Sequence, residues 1–326
     1  VSAGATLTLP DGRAVRQVAL RGGGLSAKVL TLGAILQDLR LEGVDHPLVL
    51  GCPKVADYLG PGRYLGAVVG RYANRIAGAR FGLEGRVFRT DPNFLGRHTL
   101  HGGADGVDIH IWRIEELAPD HVAMRLDLPD GHMGFPGNLR IGVTIALRDG
   151  ALSLDFAAET DAPTPCSLAH HGYFDLDGTG DVRDHRLRIA AAHYLPVDAE
   201  LIPLPGTAPV AGTRFDFRAP RRIGPGGHDH NFCLSDGPVA ARVVAELTGL
   251  SGLSMQVETD APGLQLYDGG HFDGVPGLEG RLYGPHAGLA LETQHWPDAP
   301  NRPDFPDAIL RPGGIYRHHV AYRFRR

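Results

Sequence analysis

The chain has 326 residues, 43% of them apolar and 21% charged, with a formal net charge of −5. There is ample apolar material for a sizeable core, which excludes a disordered polymer. The mildly acidic balance offers no basic face for a nucleic acid, and no apolar run reaches the length that crosses a bilayer.

In chain order, the first element is a short turn near Val55 to Leu59, the best candidate for helix; no stretch keeps a 3.6-residue apolar period long enough for a large one. Val122, Met124, Leu126 and Leu128 then alternate with other residues, as in a half-buried strand. Leu139, Ile141, Val143, Ile145 and Leu147 do the same, and Asp149-Gly150 separates them from Leu152, Leu154, Phe156 and Ala158. Two period-2 runs around a DG pair predict a tight hairpin. Leu187, Ile189 and Ala191 repeat the pattern, and so do Leu253, Met255, Val257 and Thr259. Gly288-Leu289-Ala290-Leu291 reads as a buried strand ending at Glu292. With 45 glycines and 25 prolines spread along the chain, and no linker, charge block or repeat, the expectation is one all-β domain over residues 1–326, built from antiparallel strands in packed sheets.

Polar residues concentrate beside glycine or aromatic residues in four segments: Gly70 to Ile76, Leu100 to Gly103, His170 to Leu176, and Leu291 to Gln294 followed by Pro297 to Asn301. Each has an ordinary explanation. A strand histidine is commonly structural, and Arg71 and Arg75 read equally well as solvated strand charges. Glu292 stands out, because a carboxylate entering a core is costly unless paired. Seventeen histidines, including His170-His171, His318-His319 and the His228-Asp229-His230 triplet, raise the question of a metal. The triplet has the HxH of a cupin-like centre, but Asn231, Phe232, Cys233 and Leu234 follow it instead of a glutamate, so a metal-free site is expected. No GxSxG elbow supports a serine hydrolase, and no GxGxxG opens a helix for a dinucleotide.

Taken together, the segments resemble the galactose mutarotase (aldose 1-epimerase) family over nearly the whole chain. Gly70 to Ile76 is similar to its GRxANRI, Leu100 to Gly103 to its LHGG, and His171 to Leu176 to its H-x-Y-F-N-L. Asp229 to Phe232 matches DHNF, Leu291 to Asn301 matches LETQ-x-x-PDAxN, and Leu310 to Tyr316 matches LRPGxxY. Six such matches in order are highly specific. The resemblance implies an all-β, large antiparallel β-sandwich of the galactose mutarotase-like supersandwich type, with very little helix. It implies Glu292 as general base and His171 as general acid. Asn74, Arg75, His101, Asp229 and Gln265 would hold sugar hydroxyls, and Tyr173 would help line the pocket.

The chain departs from the family in three places. His170 replaces the asparagine usual before the catalytic histidine, which leaves open which histidine of the pair enters the site. Asp175 replaces the asparagine of F-N-L and brings an extra charge nearby. Ala104 to His110 differs from the common RGFDK stretch, with an expected bearing on specificity.

The implied reaction opens a sugar ring, rotates C1–C2 and recloses the ring on the other aldehyde face. A carboxylate and an imidazole on opposite sides can take the C1 hydroxyl proton while giving one to the ring oxygen, each contributing about 10²–10⁴-fold. Ordinary values of about 4.3 for Glu and about 6.5 for His favour weakly acidic to neutral pH. The expected enzyme is an isomerase that uses no cofactor and no metal. Its partner is a free aldohexose, galactose or glucose, with no nucleic acid and no membrane, and it works as a monomer or homodimer. A sugar-binding protein without turnover and a two-carboxylate glycoside hydrolase are the alternatives. Cys52, Cys166 and Cys233, odd in number with no CxxC pair, read as free thiols of a reducing compartment. The expected location is therefore cytoplasmic; a periplasmic one stays open because the sequence begins at Val1 and a leader can be trimmed.

Overall fold

In the computed structural model, which describes residues 4–326, strand makes up 44% of the chain and helix 6%. All the helix lies in short 3-10 segments, among them Val55–Leu59. Apolar alternation sets the main strands. Leu139–Arg148 and Ala151–Thr160 pair antiparallel from Leu139↔Thr160 to Arg148↔Ala151. Asp149 (φ 50°) and Gly150 (φ 73°) make the connection, both in the left-handed region that a two-residue hairpin with this twist requires.

That hairpin sits within a nine-stranded antiparallel sheet. His121–Leu128 flanks it on one side and Tyr316–Arg325 on the other, followed by Ser254–Thr259, Arg242–Thr248 and Arg186–Ile189. A six-stranded sheet runs Tyr173–Phe174, Leu289–Gln294, Gly263–Tyr267, Asp229–Cys233, His193–Tyr194, Ala208–Pro209. A four-stranded sheet near the start of the chain contributes Ala14–Gly22, Leu25–Leu30 and Leu36–Leu41.

One apolar core joins the three sheets. It contains Ile141, Val143 and Ile145 of the large sheet, Leu264, Leu266, Leu289 and Leu291 of the second, and Leu20 and Val29 of the third, all at most 2% exposed. Packed antiparallel sheets around a shared core are the sandwich that the alternation predicts. Tyr322, buried in the large sheet, donates its hydroxyl hydrogen to the Leu291 carbonyl of the second at 3.4 Å. Cys52 and Cys166 are buried, Cys233 is half-buried, and all three are unpaired.

The second sheet positions the site because its two faces differ. Leu289 and Leu291 point into the shared core, so period-2 geometry turns Ala290, Glu292 and Gln294 the other way. Strand pairing brings Gln265 opposite Glu292, and Tyr267 opposite Asp229. A carboxylate, an amide, a phenol and a second carboxylate thus share the face turned from the apolar core.

Candidate active site

Over that face lies a cavity of about 310 Å³ lined by Tyr64, Asn74, Arg75, Phe94, Leu100, His101, His171, Tyr173, Leu201, Asp229, Tyr267, His271 and Glu292. Its volume suits a ligand at the small end of the usual range for binding pockets. The four polar segments named from the sequence converge on it from different directions. Of the residues singled out, His171, Glu292, Asn74, Arg75, His101, Tyr173 and Asp229 line the cavity. Gln265 is the exception. It is buried, donates its Nε2 hydrogen to Asp229 Oδ1 at 2.5 Å, and so reaches the site through that carboxylate.

His171 Nε2 and Glu292 Oε1 stand 3.5 Å apart, and both residues are buried. They lie side by side instead of facing each other across the cavity, which corrects the opposed arrangement expected from the reaction alone. The two oxygens that exchange protons on ring opening are bonded to one carbon, so an acid and a base that stand beside each other can serve both. The imidazole is held between the rings of Tyr64 (centroids 6.0 Å apart) and Tyr173 (5.0 Å). Its backbone N–H donates to the Ala67 carbonyl at 2.8 Å.

His170, one residue earlier, turns away. It is buried with its ring edge-on to Tyr322 and Nδ1 3.4 Å from that hydroxyl. Consecutive residues of an extended segment face opposite ways, so only the second histidine of the pair meets the cavity. Asp175 is likewise outside it: its carboxylate accepts backbone N–H groups of Asp177, Gly178 and Gly180, which ties a turn. The nearby charge expected from Asp175 therefore serves the loop and not the cavity.

Arg75 is buried and spans the floor of the site. Its guanidinium lies 3.2 Å from Asp229 Oδ2 and 3.4 Å from Asn74 Oδ1, and it stacks over Phe94 at 4.6 Å. Arg71 is buried too, and donates from NH2 to the carbonyls of Pro136 and Gly137 and to Thr164 Oγ1. Neither arginine is the solvated strand charge of the ordinary reading; one belongs to the site and the other holds a loop.

The Asn74 backbone N–H donates to His101 Nδ1 at 3.1 Å. That bond fixes the tautomer: Nδ1 accepts, so Nε2 carries the proton as a neutral donor. Asn74 (φ 65°) and His101 (φ 51°) both adopt left-handed backbone, a local strain common where side chains must be aimed. The Leu-His-Gly-Gly segment has a steric cause. A Cβ on Gly102 would stand 2.2 Å from the Gly70 carbonyl oxygen, so only glycine lets these two segments meet. Further along, Asp298 accepts from the Ala77 N–H and from Asn301 Nδ2, and its own N–H donates to the Arg75 carbonyl. The Pro-Asp-Ala-Pro-Asn run is thus a clamp on the Arg75 strand.

Burial dominates the electrostatics. It raises the Glu292 carboxyl well above its ordinary range, with Asp229 adding to the rise and Arg75 opposing it. It lowers His171 to about 3. His101 is held well below its ordinary value, by burial first and then by His171 and Arg75. Glu292 Oε2, His171 Nδ1, Arg75 Nε and Gln265 Oε1 are buried with no partner among the described residues. Such orphans are uncommon in native proteins, and these four lie at or beside one cavity.

Ligand atoms of His101, His171 and Glu292 fall within 4.8 Å of one another, so the same trio has the spacing for a cation. The HxH triplet does not contribute to it. His228 and His230 turn to the opposite side of their strand and pack edge-on and tilted against Phe215, at 6.0 and 4.4 Å between centroids.

The family model for aldose 1-epimerases matches residues 16–323. The chain belongs to the aldose 1-epimerase family. It is 39% identical to the galactose mutarotase of Rattus norvegicus over 330 residues, covering 97% of this chain and 96% of that protein. It is 37% identical to the aldose 1-epimerase of Escherichia coli K12 over 337 residues, with the same coverage. Among solved structures, the aldose epimerase homologue of C. elegans superposes with a TM-score of 0.89 at 27% identity, covering 95% of this chain and 99% of that one. Galactose 1-epimerase from Lactobacillus acidophilus superposes with 0.86 at 28% identity, covering 98% and 97%.

Sequence reasoning missed Tyr64, Phe94, Leu201, Tyr267 and His271. Most are apolar or aromatic and have the composition of core residues. Tyr267 had a usable signal: it lies two places beyond Gln265 on one strand and therefore shares its face.

Proposed function

We propose that this member of the aldose 1-epimerase family interconverts the α and β anomers of a free aldohexose, with galactose and glucose as the leading substrates. The observation that carries this reading is the buried Glu292–His171 pair, 3.5 Å apart at a small cavity ringed by hydroxyl-binding groups. Glu292 as general base takes the proton of the C1 hydroxyl while the bond from C1 to the ring oxygen breaks. The electron pair of that bond stays on the ring oxygen, which takes a proton from His171. The product of this half is the open-chain aldehyde. Rotation about C1–C2 and the reverse transfers close the ring on the other face. Burial makes an ionised carboxylate a stronger base and a protonated imidazole a stronger acid than in water, while it lowers the share of each group held in that charged form.

Asn74, Arg75, His101 and Asp229 hold the remaining hydroxyls, which keeps the open chain in place during the rotation. Gln265 acts on them through Asp229. Tyr173 and its aromatic neighbours offer flat apolar faces to the carbon skeleton. The second carboxylate, Asp229, is engaged by Arg75 and Gln265, unlike the free acid–base pair of a glycoside hydrolase.

Polarimetry of freshly dissolved α-glucose and α-galactose tests the proposal: the protein should hasten the approach to the equilibrium rotation, and rates equal to the uncatalysed ones for both sugars would refute it. The cation-compatible spacing of His101, His171 and Glu292 favours a second reading, a metal-dependent site. Prolonged EDTA treatment separates the two. Activity should survive it; loss on chelation with recovery on adding one divalent metal would install the second reading.

A further inference from the structure

Away from the sugar cavity, Asp105, His110 and His132 place one ligand atom each within 4.8 Å of the others. We propose that they form a second site, specific for a first-row divalent cation such as Zn²⁺, which staples one wall of the sugar cavity to a neighbouring turn. The proposal does not depend on the anomer chemistry.

The three ligand groups are already gathered around one point. His110 Nε2 lies 3.1 Å from Asp105 Oδ1, and His132 Nε2 lies 3.0 Å from Asp105 Oδ2. Ligands on a tetrahedral ion with bonds of about 2.0–2.1 Å stand about 3.3 Å from each other, close to both His–Asp separations. The two imidazole rings meet edge to face at 5.4 Å. The side chains are 49% (Asp105), 27% (His110) and 11% (His132) exposed, so solvent has access to the remaining position. Two imidazoles and one carboxylate suit zinc and its neighbours better than calcium or magnesium, which take oxygen donors. Binding requires lone pairs at both Nε2 atoms, so each ring keeps its single proton on Nδ1 and the carboxylate stays ionised.

The site joins separate pieces of chain. Asp105 and His110 bracket the 3-10 segment Val107–Ile109, and His132 opens the segment His132–Gly134. The first piece follows directly on His101 and Gly102-Gly103. It is also tied to the cavity wall by Arg63, which donates to Asp108 Oδ2 (3.0 Å) and the Ala104 carbonyl (2.9 Å) and stacks on Tyr64. The second piece packs closely on the same turn, since a Cβ on Gly103 would meet Met133 Sδ at 2.9 Å. A bound ion therefore stiffens the support of His101 without touching the reacting atoms.

The test uses protein stripped with EDTA, desalted, and titrated with zinc chloride by calorimetry, with cobalt(II) chloride as a visible probe of coordination. Zinc in large excess over its dissociation constant should raise the melting temperature by about 5 °C. Asp105→Asn, His110→Gln and His132→Gln should each lose one bound equivalent and the thermal shift, while Glu292→Gln keeps both. Because each variant removes a different ligand, one that fails to fold by circular dichroism leaves two others to decide. Absence of zinc binding below about 100 µM would overturn the proposal, as would full stoichiometry in the folded variants or loss of the equivalent only in Glu292→Gln.

Discussion

The nine-stranded and six-stranded sheets share one core and use alternation to opposite ends. In Leu139–Arg148 the inward positions are apolar, and the outward ones, such as Arg140 and Arg148, are exposed to water. In Leu289–Gln294 every position is buried, yet Glu292 and Gln294 are polar. A polar side chain facing water costs little, whereas one buried without a partner costs about 1–3 kcal/mol or more if charged. The first sheet is therefore built for stability and the second carries a cost that a ligand can offset. Buried, unpartnered polar groups on a sheet face mark function more reliably than exposed charges do.

Substitutions at the cavity and in the large sheet should separate stability from turnover. The largest effect is expected at His171: His171→Asn should lower catalysed mutarotation by about 10²–10⁴-fold, with the melting temperature unchanged or raised. His170→Asn, on the other side of the chain, should keep most of the rate, and the reverse pattern between the two would reassign the acid. Ile145→Ala in the large sheet should do the opposite of His171→Asn. It removes a fully buried side chain and should cost about 2–5 kcal/mol of stability, measured by denaturant unfolding, while the folded fraction turns over normally.

Arg75→Ala and His101→Ala should have intermediate effects. Each removes a donor from the cavity wall, and hydrogen bonds involving charged groups are worth about 1.5–3 kcal/mol, so kcat/KM should fall about 10–100-fold. Both kcat and KM should worsen if these groups restrain the open chain; unchanged values for both variants would remove them from the pocket's function.

Acid should act on turnover and on stability through different groups. Glu292 has a raised folded value, so the base is lost as pH falls through it, and the acid limb of kcat/KM should lie above the ordinary carboxylate value of about 4.3. Stability responds through buried histidines. His170, His230 and His295 are lowered to about 4 and His171 to about 3, all by burial. Their unfolded forms bind protons from about pH 6.5 downward, so stability should fall as pH drops from about 6.5 to about 4. Glu292, raised by burial, and His121 and His319, raised by hydrogen bonds to Asp120 and Asp155, offset part of this loss. A melting temperature flat over that window would contradict the buried-histidine assignment.

Much of this architecture was legible in the sequence for physical reasons. The central hairpin was readable because five alternating apolar residues before an Asp-Gly pair and four after it admit few other structures. Glu292 was readable because a carboxylate closing an apolar run is costly. The direction of His170 and His171 was not, since the segment gives two adjacent histidines and no neighbouring alternation; the pairing of Ala169–His170 with Val68–Val69 decides it. The two-residue strands that bring Arg75 against Leu100 are too short to leave a periodic trace. Tyr64 and Phe94 reach the cavity only through folding of distant loops, and nothing local separates them from core aromatics.

The most direct measurement is mutarotation by Glu292→Gln beside its affinity for galactose or glucose. Glutamine keeps the size and the hydrogen bond but cannot take a proton, and a neutral amide is easier to bury than a carboxylate. Trp296 is packed against Phe305 and does not line the cavity, so calorimetry is the suitable probe of binding. The expected result is a protein at least as stable as the parent, binding sugar within a modest factor, with catalysis reduced by about 10²–10⁴-fold. A folded, sugar-binding Glu292→Gln that turns over near the parent rate would contradict the proposed base.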